Sequence, residues 1–182
     1  MKPFSGYKNK NVIVLGYGRS GKSAVNALIS LGANVTLTTN EVFSDAEAEQ
    51  KYKAWGVEIV DGHHPVNLLN RADLIVKNPG IPYSIPFLKE AVEREIPIIT
   101  EVELAHHLSD APIYALTGTN GKTTCTHLLG EMLEHNGNSP ILCGNIGYPA
   151  TDAAMEANAD DTLLMELSSF QLMGIKEFRP NI

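Results

Sequence analysis

The sequence predicts an α/β protein with parallel sheets, arranged as two successive units. Short apolar runs alternate with helical patterns from end to end, and a glycine-rich loop follows the first apolar run of each unit. In addition, no run of 18 apolar residues occurs anywhere in the chain.

The elements follow in order. Val12-Ile13-Val14-Leu15 reads as a buried strand. After its glycines, Ala24, Val25, Leu28 and Ile29 share one helical face, and Gly32 stands where a C-cap falls. Val35 to Thr38 is a second strand, Asp45 to Trp55 a helix closed by Gly56, and Val57 to Val60 a third strand. Leu74-Ile75-Val76 is a fourth strand, Pro86 to Arg94 a helix, and Ile96 to Ile99 a short fifth strand. T-E-V-E-L-A-H-H-L-S-D at 100–110 reads as a connecting helix, which divides the chain into residues 1–100 and 101–182. The second unit opens with a strand at Ile113 to Leu116 and a helix from about Lys122 to Glu134, ended by Gly137. Thr162 to Met165 is a further strand. A strand is expected to begin near Ile182, so the second unit reads as truncated, with apolar faces around Ile113–Leu116 and Leu163–Met165 left partly uncovered.

Composition narrows the function classes. At 43% apolar residues the chain is globular rather than disordered. Fourteen Lys and Arg against 21 Asp and Glu leave a net charge of −7, which argues against nucleic acid and anionic membrane as partners. Cys125 and Cys143 form neither a disulfide framework nor a zinc spacing, and residues 1–10 lack the apolar core of a signal peptide. These features describe a soluble, cytoplasmic, acidic protein.

Two glycine loops compete for a phosphate chain. The first, Gly16-Tyr17-Gly18-Arg19-Ser20-Gly21-Lys22-Ser23, fits both G-x-G-x-x-G and the strict Walker pattern. The second, Thr117-Gly118-Thr119-Asn120-Gly121-Lys122-Thr123-Thr124, fails the strict pattern because Leu116 takes the first glycine position. Chemistry reverses that ranking. A nucleoside triphosphate site needs Mg2+ held by the loop hydroxyl and by an acid at the end of a neighbouring strand. The first unit's strands end in Thr38, Val60 and Lys77, whereas Thr162–Met165 runs straight into Glu166. The second loop is therefore read as the ATP site, with Lys122 on the outer phosphates and Thr123 and Glu166 on the metal. The first loop stays open between a strand-to-helix turn, a NAD site using Gly16, Gly18, Gly21 and Glu41, and a site for another nucleotide's phosphates.

T-G-T-N-G-K-T-T at 117–124, G-N-I-G-Y-P at 144–149, M-E-L-S-S-F-Q-L at 165–172 and K-N-P-G-I-P at 77–82 together resemble the Mur ligases of bacterial cell-wall synthesis. E-L-S-S-F-Q-L is most similar to the family's D-glutamate-adding branch. The resemblance implies a Rossmann-like domain that binds the UDP substrate, followed by the start of a P-loop ATPase-type domain. It implies ATP and Mg2+ as cofactors, and UDP-N-acetylmuramoyl-L-alanine and D-glutamate as substrates. ATP would phosphorylate the substrate carboxylate, and the glutamate amine would attack the acyl phosphate. The full-length protein would be a monomer, and the 182 residues alone would not ligate.

Carried over by position, Gly118, Thr119, Asn120, Gly121, Lys122, Thr123 and Thr124 hold the ATP phosphates, with Lys122 and Glu166 catalytic. The UDP substrate would meet Gly18, Arg19, Ser20, Thr39, Asn40, Asn78, Gly80, Asn145 and Ser168. Where relatives often carry an aspartate after the second strand, this chain has Thr38-Thr39-Asn40. The rivals are a NAD-binding regulatory or oxidoreductase domain, and a non-catalytic ATP-binding module. His63-His64 and His106-His107 read as surface or helix-end residues, Cys125 as a small packing residue, and Glu47, Glu49, Lys51 and Lys53 as a solvated face.

Overall fold

The computed structural model describes residues 5–182. The chain divides into two compact units, one ending at Ile99 and the other running from Thr100 to Ile182.

In the first unit, β1 (Asn11–Leu15), β2 (Asn34–Thr38), β3 (Glu58–Val60), β4 (Leu74–Lys77) and β5 (Ile98–Thr100) form one sheet in the order β3-β2-β1-β4-β5. The β1–β2, β1–β4 and β2–β3 ladders are all parallel. Chain order reverses between β1 and β4, and the crevice beyond their carboxyl ends is where such sheets bind ligands. On one face, Ile13, Leu15 and Ile75 pack with Leu68, Leu69 and the apolar side of α3 (Pro86–Glu93), which supplies Phe87, Leu88 and Ala91. Leu68 and Leu69 come from a 3-10 turn at Val66–Arg71 that the sequence pattern did not announce. α1 (Arg19–Ser30) buries Ala24, Val25, Ala27 and Leu28. Each such leucine contributes about 1.5–3 kcal/mol. α2 (Ala46–Ala54) buries only Tyr52, and its Lys53–Glu49 pair at 2.6 Å lies on the solvated side.

The second unit opens with α4 (Glu101–Leu108), then β6 (Ile113–Leu116), α5 (Lys122–His135), β7 (Ser139–Gly144), α6 (Ala150–Glu156), β8 (Asp161–Glu166) and the single turn α7 (Ser169–Leu172). Its sheet has the order β6-β8-β7, with both ladders parallel. At the free side of β6, Asn181 N donates to Ile113 O at 2.7 Å and Ala115 N donates to Ile182 O at 2.9 Å. Strand pairing therefore does begin at these residues.

The expectation of partly uncovered apolar strands is corrected for β8 and holds for most of β6. Leu163, Leu164 and Met165 of the central strand β8 are fully buried, whereas in β6 only Ile113 is buried and Tyr114, Ala115 and Leu116 are half-buried. The exposed large apolar side chains of this unit are Leu128 and Met132 on α5, together with Tyr148, Phe170, Met173 and Ile182.

Two acids on α4 root it in this unit. The buried Glu101 carboxylate accepts from Thr151 N at the start of α6, and Thr151 Oγ1 donates to Glu101 O at 3.2 Å. Burial raises the Glu101 pKa to about 7. Glu103, 1% exposed, accepts from the backbone N–H groups of Lys176 and Glu177 at 2.8 Å and of Phe178 at 3.1 Å.

Candidate active site

The second glycine loop leaves its backbone donors unengaged among the described residues. β6 ends at Leu116, and α5 does not begin until Lys122. Gly118 and Gly121 adopt φ of +153° and +78°, which a β-carbon disfavours. Among the described residues no hydrogen bond engages the N–H groups of residues 118–121. These donors, together with the dipole of a 14-residue helix, form an anion cradle. Lys122 Nζ arches back to Gly118 O at 2.7 Å, so its ammonium stands over the loop. Thr119, Asn120 and Thr124 are exposed around it.

The acid predicted from strand chemistry is in place. Glu166 ends the central strand β8 and pairs in register with Leu116 on one side and Gly144 on the other. Its Oε2 accepts from Thr123 Oγ1 at 2.7 Å, and its Oε1 accepts from Asn145 Nδ2 at 2.8 Å. Asn145 N also donates to Glu166 O at 2.8 Å. Gly144 permits this approach, since a β-carbon there would lie 2.5 Å from Glu166 O. A hydroxyl and a carboxylate form the hard oxygen set that suits Mg2+. Asn145 therefore meets the candidate metal carboxylate directly. Ser168 caps α7 in a reciprocal capping box with Gln171, which occupies its hydroxyl in this structure.

In the first unit a cavity of about 370 Å³ opens at the carboxyl ends of the strands. It is lined by four of the predicted substrate residues, Gly18, Thr39, Asn40 and Asn78. Arg19 and Ser20 begin α1 just past Gly18, and Arg19 is exposed. Gly80 is exposed and donates its N–H to Asn78 Oδ1 at 3.0 Å, so it shapes the turn without lining the cavity.

The first loop's Walker match does not produce a Walker geometry. Helix α1 starts at Arg19, which leaves Lys22 inside the helix rather than at its tip. Lys22 Nζ binds Asp45 Oδ2 at 2.7 Å and lies over the Tyr17 ring, and Tyr17 OH donates to the same oxygen at 3.0 Å. The Lys22 hydrogen bond, the Ala48 N–H and the Tyr17 hydroxyl lower the Asp45 pKa to about 2.

Residues 10–100 match the N-terminal domain of MurD-like Mur ligases, and residues 116–182 match the Mur ligase middle domain. The chain belongs to the Mur ligase family. It is 49% identical over 182 residues to the UDP-N-acetylmuramoylalanine--D-glutamate ligase of Macrococcus caseolyticus, covering all of this chain and 41% of that protein. It is 50% identical over 183 residues to the ligase of the same name from Streptococcus pneumoniae strain CGSP14, again covering 41% of the relative. The chain thus spans about two fifths of the length of the curated Mur ligases it matches. A pseudomurein peptide ligase type C from Methanothermus fervidus shares the fold, with a TM-score of 0.52 at 23% identity over 88% of this chain and 33% of that one.

Several residues of this Mur ligase site escaped the sequence reading. Tyr17, Phe43, His64 and Ile81 also line the first cavity, with Tyr17 and Phe43 rings 4.4 Å apart. His64, read above as a surface residue, is half-buried, faces Phe87, and has Nδ1 2.9 Å from Thr38 Oγ1. Thr38 Oγ1 also donates to His63 O at 3.1 Å. A carbonyl only accepts, so with the Thr38 proton placed there, His64 Nδ1–H must be the donor to Thr38. Burial lowers the His64 pKa, which favours the neutral ring. His107 does lie at a helix end, yet its side chain is only 14% exposed, beside Glu103. Cys125 is exposed in the first turn of α5, which corrects its reading as a packing residue; burial pushes the Cys143 thiol up to about 12. Glu41 lies on the rim past Asn40 rather than at the end of β2, where a NAD ribose would need it.

Proposed function

We propose that this chain carries the substrate-binding unit and the phosphate-binding part of a ligase that uses ATP to join D-glutamate to UDP-N-acetylmuramoyl-L-alanine for peptidoglycan synthesis. The observation that carries the reading is Glu166 held between Thr123 and Asn145 at the mouth of the second glycine loop. The names of the relatives at 49–50% identity support it.

On this reading Gly118 to Thr124 cradle the ATP phosphates through backbone N–H groups, and Lys122 offsets charge developing on the transferred phosphoryl group. Thr123 and Glu166 would hold Mg2+, which would supply positive charge to offset that of the phosphates. Asn145 orients Glu166 from the opposite side and brings the muramoyl substrate's carboxylate towards the phosphate. Phosphorylation is needed because a carboxylate is a poor acyl donor, whereas phosphate is a good leaving group. Gly18, Arg19, Ser20 and the cavity residues Thr39, Asn40 and Asn78 receive the uridine diphosphate moiety, with Gly80 setting the turn. Ser168 lies beside the substrate path through its cap on α7. The complete enzyme acts as a cytoplasmic monomer on small molecules, without nucleic acid and without membrane insertion. Among the described residues no helix is long and apolar enough to cross a membrane.

Titration calorimetry on the 182-residue chain tests this. UDP-N-acetylmuramoyl-L-alanine and a magnesium-bound, non-hydrolysable ATP analogue should bind independently and at one-to-one stoichiometry. Preference for NAD over UDP in the first unit would overturn the assignment.

A further inference from the structure

β4 ends in a cation that its apolar run does not explain. Lys77 is 2% exposed, and its ammonium donates to three carbonyls: Asn78 O at 2.9 Å, Pro79 O at 3.2 Å and Ile81 O at 2.6 Å. The Tyr83 ring centroid lies 5.0 Å from Nζ. Among the described residues no carboxylate pairs with it. Burying a cation costs several kcal/mol unless dipoles, a ring face or an anion offset it. Carbonyl dipoles and a ring are present here, and the formal charge stays unneutralised.

The turn that Lys77 grips forms one wall of the crevice. Asn78 and Ile81 line the cavity, and Asn78 Oδ1 accepts from Gly80 N. The same two side chains press on the glycine loop. A β-carbon on Gly16 would come within 2.9 Å of Ile81 Cδ1, and one on Gly18 within 2.8 Å of Asn78 Nδ2. In register, Lys77 pairs with Leu15, the residue immediately before that loop. The backbone of Lys77 is thus one strand away from the end of β1, which leads through the glycine loop to the start of α1, where backbone donors favour an anion. Burial lowers the Lys77 pKa, so a nearby anion would favour its charged form.

We propose that Lys77 is a positioning residue for the diphosphate in the first unit: it fixes the Asn78–Ile81 turn against the glycine loop, and its unneutralised charge selects an anionic ligand over a neutral one. The proposal rests on the uridine-nucleotide reading of that crevice.

The test is an NMR titration of the 182-residue chain with UDP and, separately, with uridine. Lys77→Met keeps the aliphatic stem, and Lys77→Gln keeps two donors without the charge, so one neutral variant remains if the other fails to fold. Both should lose about tenfold or more in UDP affinity, while uridine affinity changes far less. Lys77→Met should also move the Asn78 and Gly80 amide resonances. A purely structural lysine would lower both affinities alike, so an unchanged UDP-to-uridine ratio in a folded variant overturns the proposal. A wild-type chain that binds no UDP overturns the uridine-nucleotide reading and this inference together. A wild type that binds UDP no better than a folded variant overturns this inference alone.

Discussion

The two glycine loops share the pattern Gly-x-x-Gly-Lys followed by Ser or Thr, and they fold differently. In the first, three residues separate β1 from α1; in the second, five separate β6 from α5. The shorter loop is closely packed against its surroundings. Gly16 N–H goes to Thr38 O at 2.8 Å, and a β-carbon on Gly21 would sit 2.1 Å from Gly16 O. Its lysine, carried past the helix start, is neutralised by Asp45. The longer loop leaves its N–H groups outward, nothing lies within 4 Å of a β-carbon on Gly121, and its lysine falls at the helix tip. A glycine can thus be required by packing in one loop and by backbone conformation in the other. The position of the helix start relative to the lysine, rather than the motif, decides whether that lysine stands at the anion-binding tip of the helix.

Alanine at the two loop-closing glycines should give the largest contrast. Gly21→Ala should cost about 3 kcal/mol or more, because backbone must move, and lower the melting temperature by more than about 10 °C. Gly121→Ala should cost about 1 kcal/mol, from its left-handed φ alone, when both are measured by thermal denaturation. Equal losses would mean that the crowding at Gly21 relaxes.

Next in size is Lys122→Ala, which should weaken ATP-analogue binding by about 2 kcal/mol, roughly thirtyfold, and leave UDP binding intact. Lys22→Ala should leave ATP binding unchanged and lower the melting temperature only slightly, because its pair with Asp45 is half-exposed. The opposite pattern in calorimetry would exchange the two assignments. Glu166→Gln should remove about tenfold of magnesium-dependent ATP affinity while sparing binding measured in EDTA. Equal affinity of both proteins in magnesium would remove Glu166 from the metal site.

The smallest effect is in acid. Asp45 has its pKa lowered from 3.8 to about 2, so its contribution is complete above the unfolded value and disappears as pH falls through the folded one. The melting-temperature gap between wild type and Asp45→Asn should be constant at neutral pH and close between about pH 4 and 2. A gap that widens in acid would contradict the Lys22–Asp45 pairing.

Much of this architecture was legible because continuous apolar runs such as Val12–Leu15 and Leu163–Met165 are what buried parallel strands require. Glu166 was legible because strand order hardly matters to the rule that an acid must end a strand near the loop. β7 was missed because Pro140 breaks its pattern, and proline is tolerated there because β7 flanks only β8. His64 and Lys77 were illegible for a different reason. Both acquire their roles from partners that only folding brings near, Thr38 for one and a ring of carbonyls for the other.

The two carboxylates of α4 bear on the order in which the second unit assembles. Glu101 waits for a partner 50 residues downstream, and Glu103 for partners 73 to 75 residues downstream. Closing loops of that length is slow compared with forming the helix itself. The first segment of this unit to leave the ribosome is therefore among the last to lock. Stopped-flow kinetics should find that Glu103→Gln speeds unfolding and leaves refolding nearly unchanged, the behaviour of contacts made after the rate-limiting step.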